Sequence, residues 1–365
     1  MKQSIQKANA RSLFSRCAKK VTACVLSAAL LLACCPLALA AEPDTDPLTA
    51  QELTQMTDEQ IAALSQEQSD ATLNKMAQLF QDGEKQALDE YLSALGFATT
   101  YEEYADQQGW NEEEQPDTEP SIQPMWQSDY DSKEPDKQCH EALTNVGFLV
   151  YVLARNELFN GGSIGFQLAD LHLLSKESAW PDKDPSSRLT LFETHFYDPD
   201  TGTNWKGSSV TTARDSAINH YRDAIKKYYS GDRNGAIKVL AHCIHYVQDV
   251  AVPHHAANKV SIPLIDSYNH AGFEEFASRM MLDGQYTWDI ESSDYFNLGY
   301  YNTWVSSSIG TSVHNIASTA KQYIDMVTDK DNAAGQLFIA YGMLGYSMCN
   351  TSGVLYKFAK EVGMI

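Results

Sequence analysis

Histidines and carboxylates recur at helical spacing between His245 and Glu274, in the run HYVQDVAVPHHAANKVSIPLIDSYNHAGFE. His245 and Asp249 are four residues apart, and so are His270 and Glu274. On an α-helix such residues lie on one face, one turn apart, so each pair can offer an imidazole nitrogen and a carboxylate oxygen to one point. Converging nitrogen and oxygen donors on a rigid helical scaffold are how bundles build metal sites. Pro253 has no N–H to donate and its ring clashes with a preceding turn. It is expected to end the helix that carries His245 and to leave His255 on the loop just beyond. Other donors lie upstream: His140, Asp182 on the stiff turn Trp180-Pro181-Asp182, and His195 in the run FETHFYDPD.

The elements that must position these donors read as helices. Apolar residues at three- and four-residue spacing predict helices over 141–156, 162–176, 211–229, 234–249, 271–282, 310–328 and 333–362. Gly231-Asp232 makes a short turn between two of them, and loops are expected at 180–187, 196–208, 253–267 and 285–307. Strand-like alternation is scarce and no repeat of 20–50 residues is found, so the fold class expected is an all-α multi-helix bundle.

Composition divides the 365 residues into three parts. Residues 1–40 hold six Lys and Arg, no acidic residue, an apolar run over 21–39 and Ala38-Leu39-Ala40 before Ala41. That is the pattern of a cleaved export signal, with a membrane anchor as the other reading. Leu31-Leu32-Ala33-Cys34 is a loose lipobox that would allow lipid anchoring. Residues 41–125 carry 20 acidic residues, two lysines and no His, Cys or Arg. Leu53, Met56, Ile61, Leu64, Leu73, Met76 and Phe80 suggest short amphipathic helices there. The run NEEEQPDTEPSIQP at 111–124 reads as a solvated linker open to proteolysis. Residues 126–365 hold 28 acidic and 19 basic residues and all ten histidines, and are long enough for one domain with its own core. The net charge of 126–365, 19 basic against 28 acidic residues or −9, argues against a nucleic-acid partner. Four of the seven cysteines fall in the export segment; Cys139, Cys243 and Cys349 are too few and too scattered for a disulfide framework and read as small buried residues.

The pattern HYxxDxxxPxH followed by Hx3E resembles the core of the bacterial zinc-dependent phospholipase C family, which includes the catalytic domain of clostridial alpha-toxin. Members of that family begin the mature chain with Trp, then have a His, a Pro-Asp turn and a further His in order. Trp126, His140, Asp182 and His195 match, so the resemblance covers 126–365. It implies a helical domain holding three zinc ions. Asp182, His195, His245 and Asp249 would hold one. The α-amino nitrogen and carbonyl of Trp126, with His140 and the bridging Asp249, would hold a second, and His255, His270 and Glu274 the third. Asp182 is also the family's general base. The activity implied is hydrolysis of the glycerol-side phosphodiester of phospholipids, at a membrane or micelle surface, by a secreted and monomeric enzyme.

A peptide-bonded nitrogen ligates metal poorly, whereas a free α-amine with a pKa of about 8 can coordinate. A chelate at Trp126 therefore requires cleavage at Met125–Trp126, which makes 41–125 a propeptide and calls for an activating protease. The alternative is an acidic accessory segment that is never removed. Two departures from the family stand out. Gln248 replaces a small residue just before Asp249, and Ala251 a residue that is commonly polar. The family's choline pocket maps to Asp129, Lys183 and Phe192, where the Lys183 cation would repel a quaternary ammonium. Single-strand nucleases share the three-zinc arrangement and the N-terminal Trp but generally close the third site with Hx3D, against His270…Glu274 here. A non-catalytic zinc-binding surface protein is the remaining alternative.

Overall fold

The computed structural model describes residues 46–97, 139–260, 268–282 and 294–365. The export segment, the 111–124 linker, Trp126 and Asp129 lie outside the described residues. The architecture is all-α: among the described residues no strand forms, and a single β-bridge pairs Asp198 with Thr203. That bridge closes the DPDTG turn, where the Asp198 side chain accepts from Asp200 N (2.9 Å) and from Lys321 Nζ (2.5 Å).

Among the described residues of the acidic segment four helices form: α1 (Ala50–Thr54), α2 (Asp58–Ala62), α3 (Gln66–Gln81) and α4 (Lys85–Ala94). Thr49, Thr57 and Ser65 each cap the helix that follows, with Glu52, Gln60 and Gln68 returning the bond. The bundle proper follows with α5 (Cys139–Glu157), α6 (Leu168–Ser178), the short α7 (Trp180–Lys183) and α8 (Pro185–Leu189), and a 3-10 turn at Glu193–His195. Then come α9 (Ala213–Tyr229), α10 (Arg233–Asp249), α11 (Pro253–Ala256), α12 (His270–Leu282), α13 (Leu298–Ser306), α14 (Ile309–Lys321), α15 (Ile324–Thr328) and α16 (Ala333–Glu361).

α5, α10 and α16 are apolar around most of their circumference, which places them at the centre. α9 and α10 form an antiparallel hairpin across Gly231 (φ 87°), and Asp232 caps α10 by accepting from Gly235 N. α6 packs on α5 and α10, and α16 packs on α5, α12 and α13. α5 and α16 approach closely at Gly147. A Cβ there would lie 2.6 Å from the Thr351 side chain and 3.0 Å from the Met348 carbonyl.

The acidic segment is part of this core. α3 packs on α5 and α6, α2 packs on α6, and Leu53, Leu73 and Met76 are buried in the same apolar cluster as Phe148 and Leu171. The amphipathic helices expected there thus spend their apolar faces on the bundle.

Several expected boundaries are corrected. The helix expected over 162–176 begins at Leu168, because Gly162 and Gly165 adopt positive φ (100° and 81°). The helix expected over 310–328 is two, α14 and α15. The 180–187 loop is helical turns, with Pro181 early in α7. Leu298–Ser306, inside the expected 285–307 loop, is helical and capped by Asn297; residues 285–293 lie outside the described residues. Pro253 does mark a break, but it also opens α11, because its fixed φ suits a first helical position. His255 therefore sits on a short helix and not on a loop.

Gly147→Val should destabilise the fold by about 1–3 kcal/mol through overpacking of the α5–α16 seam. Urea denaturation of variant and parent would show it as a lower midpoint at unchanged slope.

Candidate metal centre

One end of the bundle gathers the donors. α5 brings His140 on its first turn, α10 brings His245 and Asp249 on its last, and α7 brings Asp182. The 3-10 turn supplies His195, α11 His255, and the first turns of α12 His270 and Glu274. All eight side chains are buried. The four-residue spacings work as the helix geometry requires, since His245 Nε2 lies 3.2 Å from Asp249 Oδ2 and His270 Nε2 lies 3.0 Å from Glu274 Oε1.

Donor atoms converge in three groups: Asp182, His195 and His245; His140, His245 and Asp249; His255, His270 and Glu274. In the first, His195 Nδ1 and His245 Nε2 are 3.0 Å apart and each is 3.5 Å from Asp182 Oδ1. Asp249 faces two groups at once: its Oδ2 lies 2.9 Å from His195 Nδ1, its Oδ1 3.6 Å from His140 Nε2. In the third, Glu274 Oε1 lies 3.1 Å from His255 Nε2.

The donor set fits divalent cations of the zinc type, which take imidazole and carboxylate ligands. Asp182 Oδ1 and Oδ2, Asp249 Oδ1 and His140 Nε2 are buried without a hydrogen-bond partner. Leaving such groups uncompensated is costly, and bound cations would satisfy all four.

The far side of three of the rings is anchored. His245 Nδ1–H donates to Ser178 O (2.8 Å), and His255 Nδ1–H donates to His195 O (2.9 Å). His140 Nδ1–H donates to Gln248 Oε1 (2.7 Å), while Gln248 Nε2 donates to Thr144 Oγ1 (3.1 Å) and Thr351 Oγ1 (3.0 Å). Each bond keeps a proton on Nδ1 and turns Nε2 toward the cluster, the nitrogen that would ligate. Gln248 was visible in the sequence only as a departure beside Asp249; its role depends on Thr144 and Thr351, about a hundred residues away on either side. His254 points away from the donors: its Nε2–H donates to Tyr268 O (2.9 Å) and its ring stacks on His270 at 4.7 Å. His172 packs against Phe97, His220 against Tyr246, and His314 Nδ1 bonds Tyr197 OH (2.9 Å). Cys139, Cys243 and Cys349 are buried, and none of them forms a disulfide among the described residues.

Burial holds His140 and His270 well below the ordinary imidazole value and lowers His255 to about 4. They are neutral near pH 7 and ready to donate lone pairs. Burial also acts to lower His245, but Asp249 and Asp182 outweigh it and raise its pKa to about 9. Burial pushes the Asp182 carboxyl above the usual range against the pull of His245 and His195. On Asp249 those two imidazoles prevail over burial and hold it well below that range.

Of the residues expected around the headgroup, Lys183 follows Asp182 on α7 and its charge is felt at that carboxylate. Phe192 is 4% exposed, with its ring edge-on to His195 at 5.5 Å. It and Leu191 both adopt left-handed backbone (φ 56° and 53°), an unusual pair for residues with side chains. This turn sends Phe192 inward and leaves Leu191 exposed.

No protein-family profile matches the chain. It is similar to a phospholipase C of Clostridium perfringens (27% identity, 53% of this chain and 50% of the relative). A phospholipase C of Bacillus cereus is 27% identical over 40% of this chain and 48% of its own. The chain spans about half the length of the phospholipases C it matches. Among solved structures it shares the fold of the Clostridium absonum alpha-toxin (TM-score 0.53, 20% identity, 63% of this chain and 66% of that one). An alpha-toxin from an avian strain of Clostridium perfringens gives a TM-score of 0.52 at 24% identity, over 63% and 65% of the two chains.

Cation uptake should displace the His245 proton. In metal-stripped protein His245 is raised from 6.5 to about 9, so its stabilisation is full below pH 6.5 and lost as pH rises through 9. Zinc titrated calorimetrically at pH 7.5, in buffers of different ionisation enthalpy, should release at least one proton, and the His245 share should vanish above pH 9. Gln248→Ala should weaken zinc retention by about 10–100-fold, read by competition with a chromophoric chelator.

Proposed function

We propose, on the premise that this chain is a relative of the bacterial phospholipases C, that residues 126–365 are a zinc-dependent phospholipase C domain. It would cleave the glycerol-side phosphodiester of phospholipids to diacylglycerol and a phosphorylated headgroup. The observation that carries the reading is the convergence of eight buried donors into three adjoining groups around Asp182 and Asp249.

Asp182, His195, His245 and Asp249 would hold one zinc ion, and His255, His270 and Glu274 another. His140 and Asp249 would hold the third, with the α-amine and carbonyl of Trp126 once the preceding peptide bond is cut. Zinc bound there supplies Lewis acidity to phosphoryl oxygens and brings water to ionise near pH 7. Asp182 takes the proton of the attacking water: it is buried, its carboxyl is raised, and both oxygens are free of hydrogen bonds. Gln248, Ser178 O and His195 O keep the imidazoles oriented through the step. Lys183 and Phe192, with Asp129 as the resemblance implies, would form the headgroup end; the Lys183 cation would repel choline's quaternary ammonium and leaves an anionic or ethanolamine headgroup open.

A lipid substrate is favoured over a nucleic acid by the rim. Trp180 and Leu191 are exposed and Leu189 is 85% so, all within the stretch that carries Asp182 and His195, and Val210 is 79% exposed. Lys206 joins the two loops, donating to Thr190 O (2.5 Å) and pairing with Glu193 (3.3 Å). Exposed apolar residues flanking the turns of Asp182 and His195 suit acyl chains better than a polyanion. The basic, apolar start of the chain and Ala38-Leu39-Ala40 support export.

The test is headgroup release from a panel of phospholipid micelles, beside nucleotide release from single-stranded DNA, with zinc content and N-terminal sequence determined on the same protein. Phospholipid turnover, three zinc ions and a start at Trp126 are expected, and Asp182→Asn should lower turnover by about 10²–10⁴-fold. DNA cleavage without lipid cleavage would overturn the substrate assignment. Full zinc content in a protein beginning elsewhere would overturn the chelate at Trp126.

A further inference from the structure

α5 and α6 each have two working ends. α5 carries His140 at its start and Asn156 and Glu157 at its close; α6 carries His172 in its middle and ends at Ser178, whose carbonyl anchors His245. Residues 46–97 dock on the end of α5 away from the donors and on the middle of α6. Asn156 Nδ2 donates to Asn74 Oδ1 (3.0 Å), Gln81 Nε2 donates to Glu157 Oε1 (2.6 Å), and Phe97 packs on His172 at 5.5 Å. His140 and Asn156 are separated by about 24 Å along the helix axis, at 1.5 Å per residue.

Side-chain bonding from the segment also completes the bundle's backbone. Gln66 Nε2 donates to Phe166 O (2.8 Å), and Asp70 Oδ2 accepts from Ile164 N (3.3 Å). Gln66 Nε2 also reaches Asp70 Oδ1 (2.8 Å), so the two residues act as one clamp on the loop that joins α5 to α6. Behind it Leu73 and Met76 are fully buried, with Leu53, Leu79, Leu88, Leu95 and Phe97 nearly so. Removing the segment would strip the Ile164 N–H and Phe166 carbonyl of these partners and wet an apolar flank of α5 and α6, both costly.

We propose that residues 46–97 are a permanent subunit of the mature protein: after cleavage before Trp126 they stay bound to 126–365 as a second, non-covalent chain. This rests on the maturation step proposed above. Cleavage on this view acts by creating a free α-amine at residue 126, not by lifting a plug from the donors. The distance along α5 sets the segment apart from an inhibitor that covers the cluster. The break would fall within the 41 residues between Phe97 and Cys139, outside the docked helices.

The experiment uses the full chain with a protease recognition sequence placed to end at residue 125. After cutting, native mass spectrometry and gel filtration should show one species holding both fragments in equal amounts. Hydrogen exchange at Ile164 and the end of α5 should match the uncut chain. Leu73→Asp with Met76→Asp should make the cut fragments part, and Asp70→Ala, which removes the acceptor of the Ile164 amide, should raise exchange at Ile164 in the otherwise intact complex. Wild-type fragments that separate on cutting, or exchange at Ile164 that rises to that of an unprotected amide, would overturn the proposal. Its failure is distinct from that of the function proposed above. Fragments that stay together without lipid hydrolysis sink the phospholipase reading alone, and fragments that part while hydrolysis appears sink the subunit alone.

Discussion

A buried carboxylate must be neutralised or held by donors, and Asp182 and Asp249 are both buried at one end of this bundle. The imidazoles around them give only partial relief. They are drawn to the charge, as the raised His245 shows, yet burial strips His140, His255 and His270 of their protons. Divalent cations would resolve both demands, giving the carboxylates a counter-charge and the neutral rings a Lewis acid. The placement of helix ends follows from this need, with the close of α10 and the starts of α5 and α12 meeting at one point.

The packing of the bundle and the orientation of one donor share a seam. Thr351 on α16 fits against Gly147 of α5, where a larger residue would collide. The same threonine accepts a hydrogen bond from Gln248, whose carboxamide oxygen holds His140. Three central helices are thus fixed to one another by contacts that also choose which nitrogen of His140 faces the cluster. Loosening the seam would cost ligand geometry as well as packing.

Much of this was legible in the chain. The four-residue spacings of His245/Asp249 and His270/Glu274 are local, so helical periodicity alone puts each pair on one face. The Gly231-Asp232 turn and the long apolar helices are local in the same sense. What stayed hidden depends on partners distant in sequence. Gln248 showed only as an oddity, since Thr144 and Thr351 reach it from other helices. The docking of α3 on α5 had no local signature, because an amphipathic helix shows that it has an apolar face but not what covers it. Helix starts were missed at 162–167, where glycines with positive φ override an apolar pattern, and at 298–306, where a polar and aromatic stretch forms a helix once Asn297 caps it.

The turn at Leu191 and Phe192 has a consequence for how the cluster fails. Two neighbouring left-handed residues with full side chains store about 1–3 kcal/mol each. The energy is held because Phe192 is wedged against His195, which is gripped in turn by Asp249. The turn is a sprung latch, and cations bound by His195 and Asp249 would be its catch. Stripping the cations would let this stretch relax before the helices melt, so metal loss should be felt first as a local loosening beside the rim.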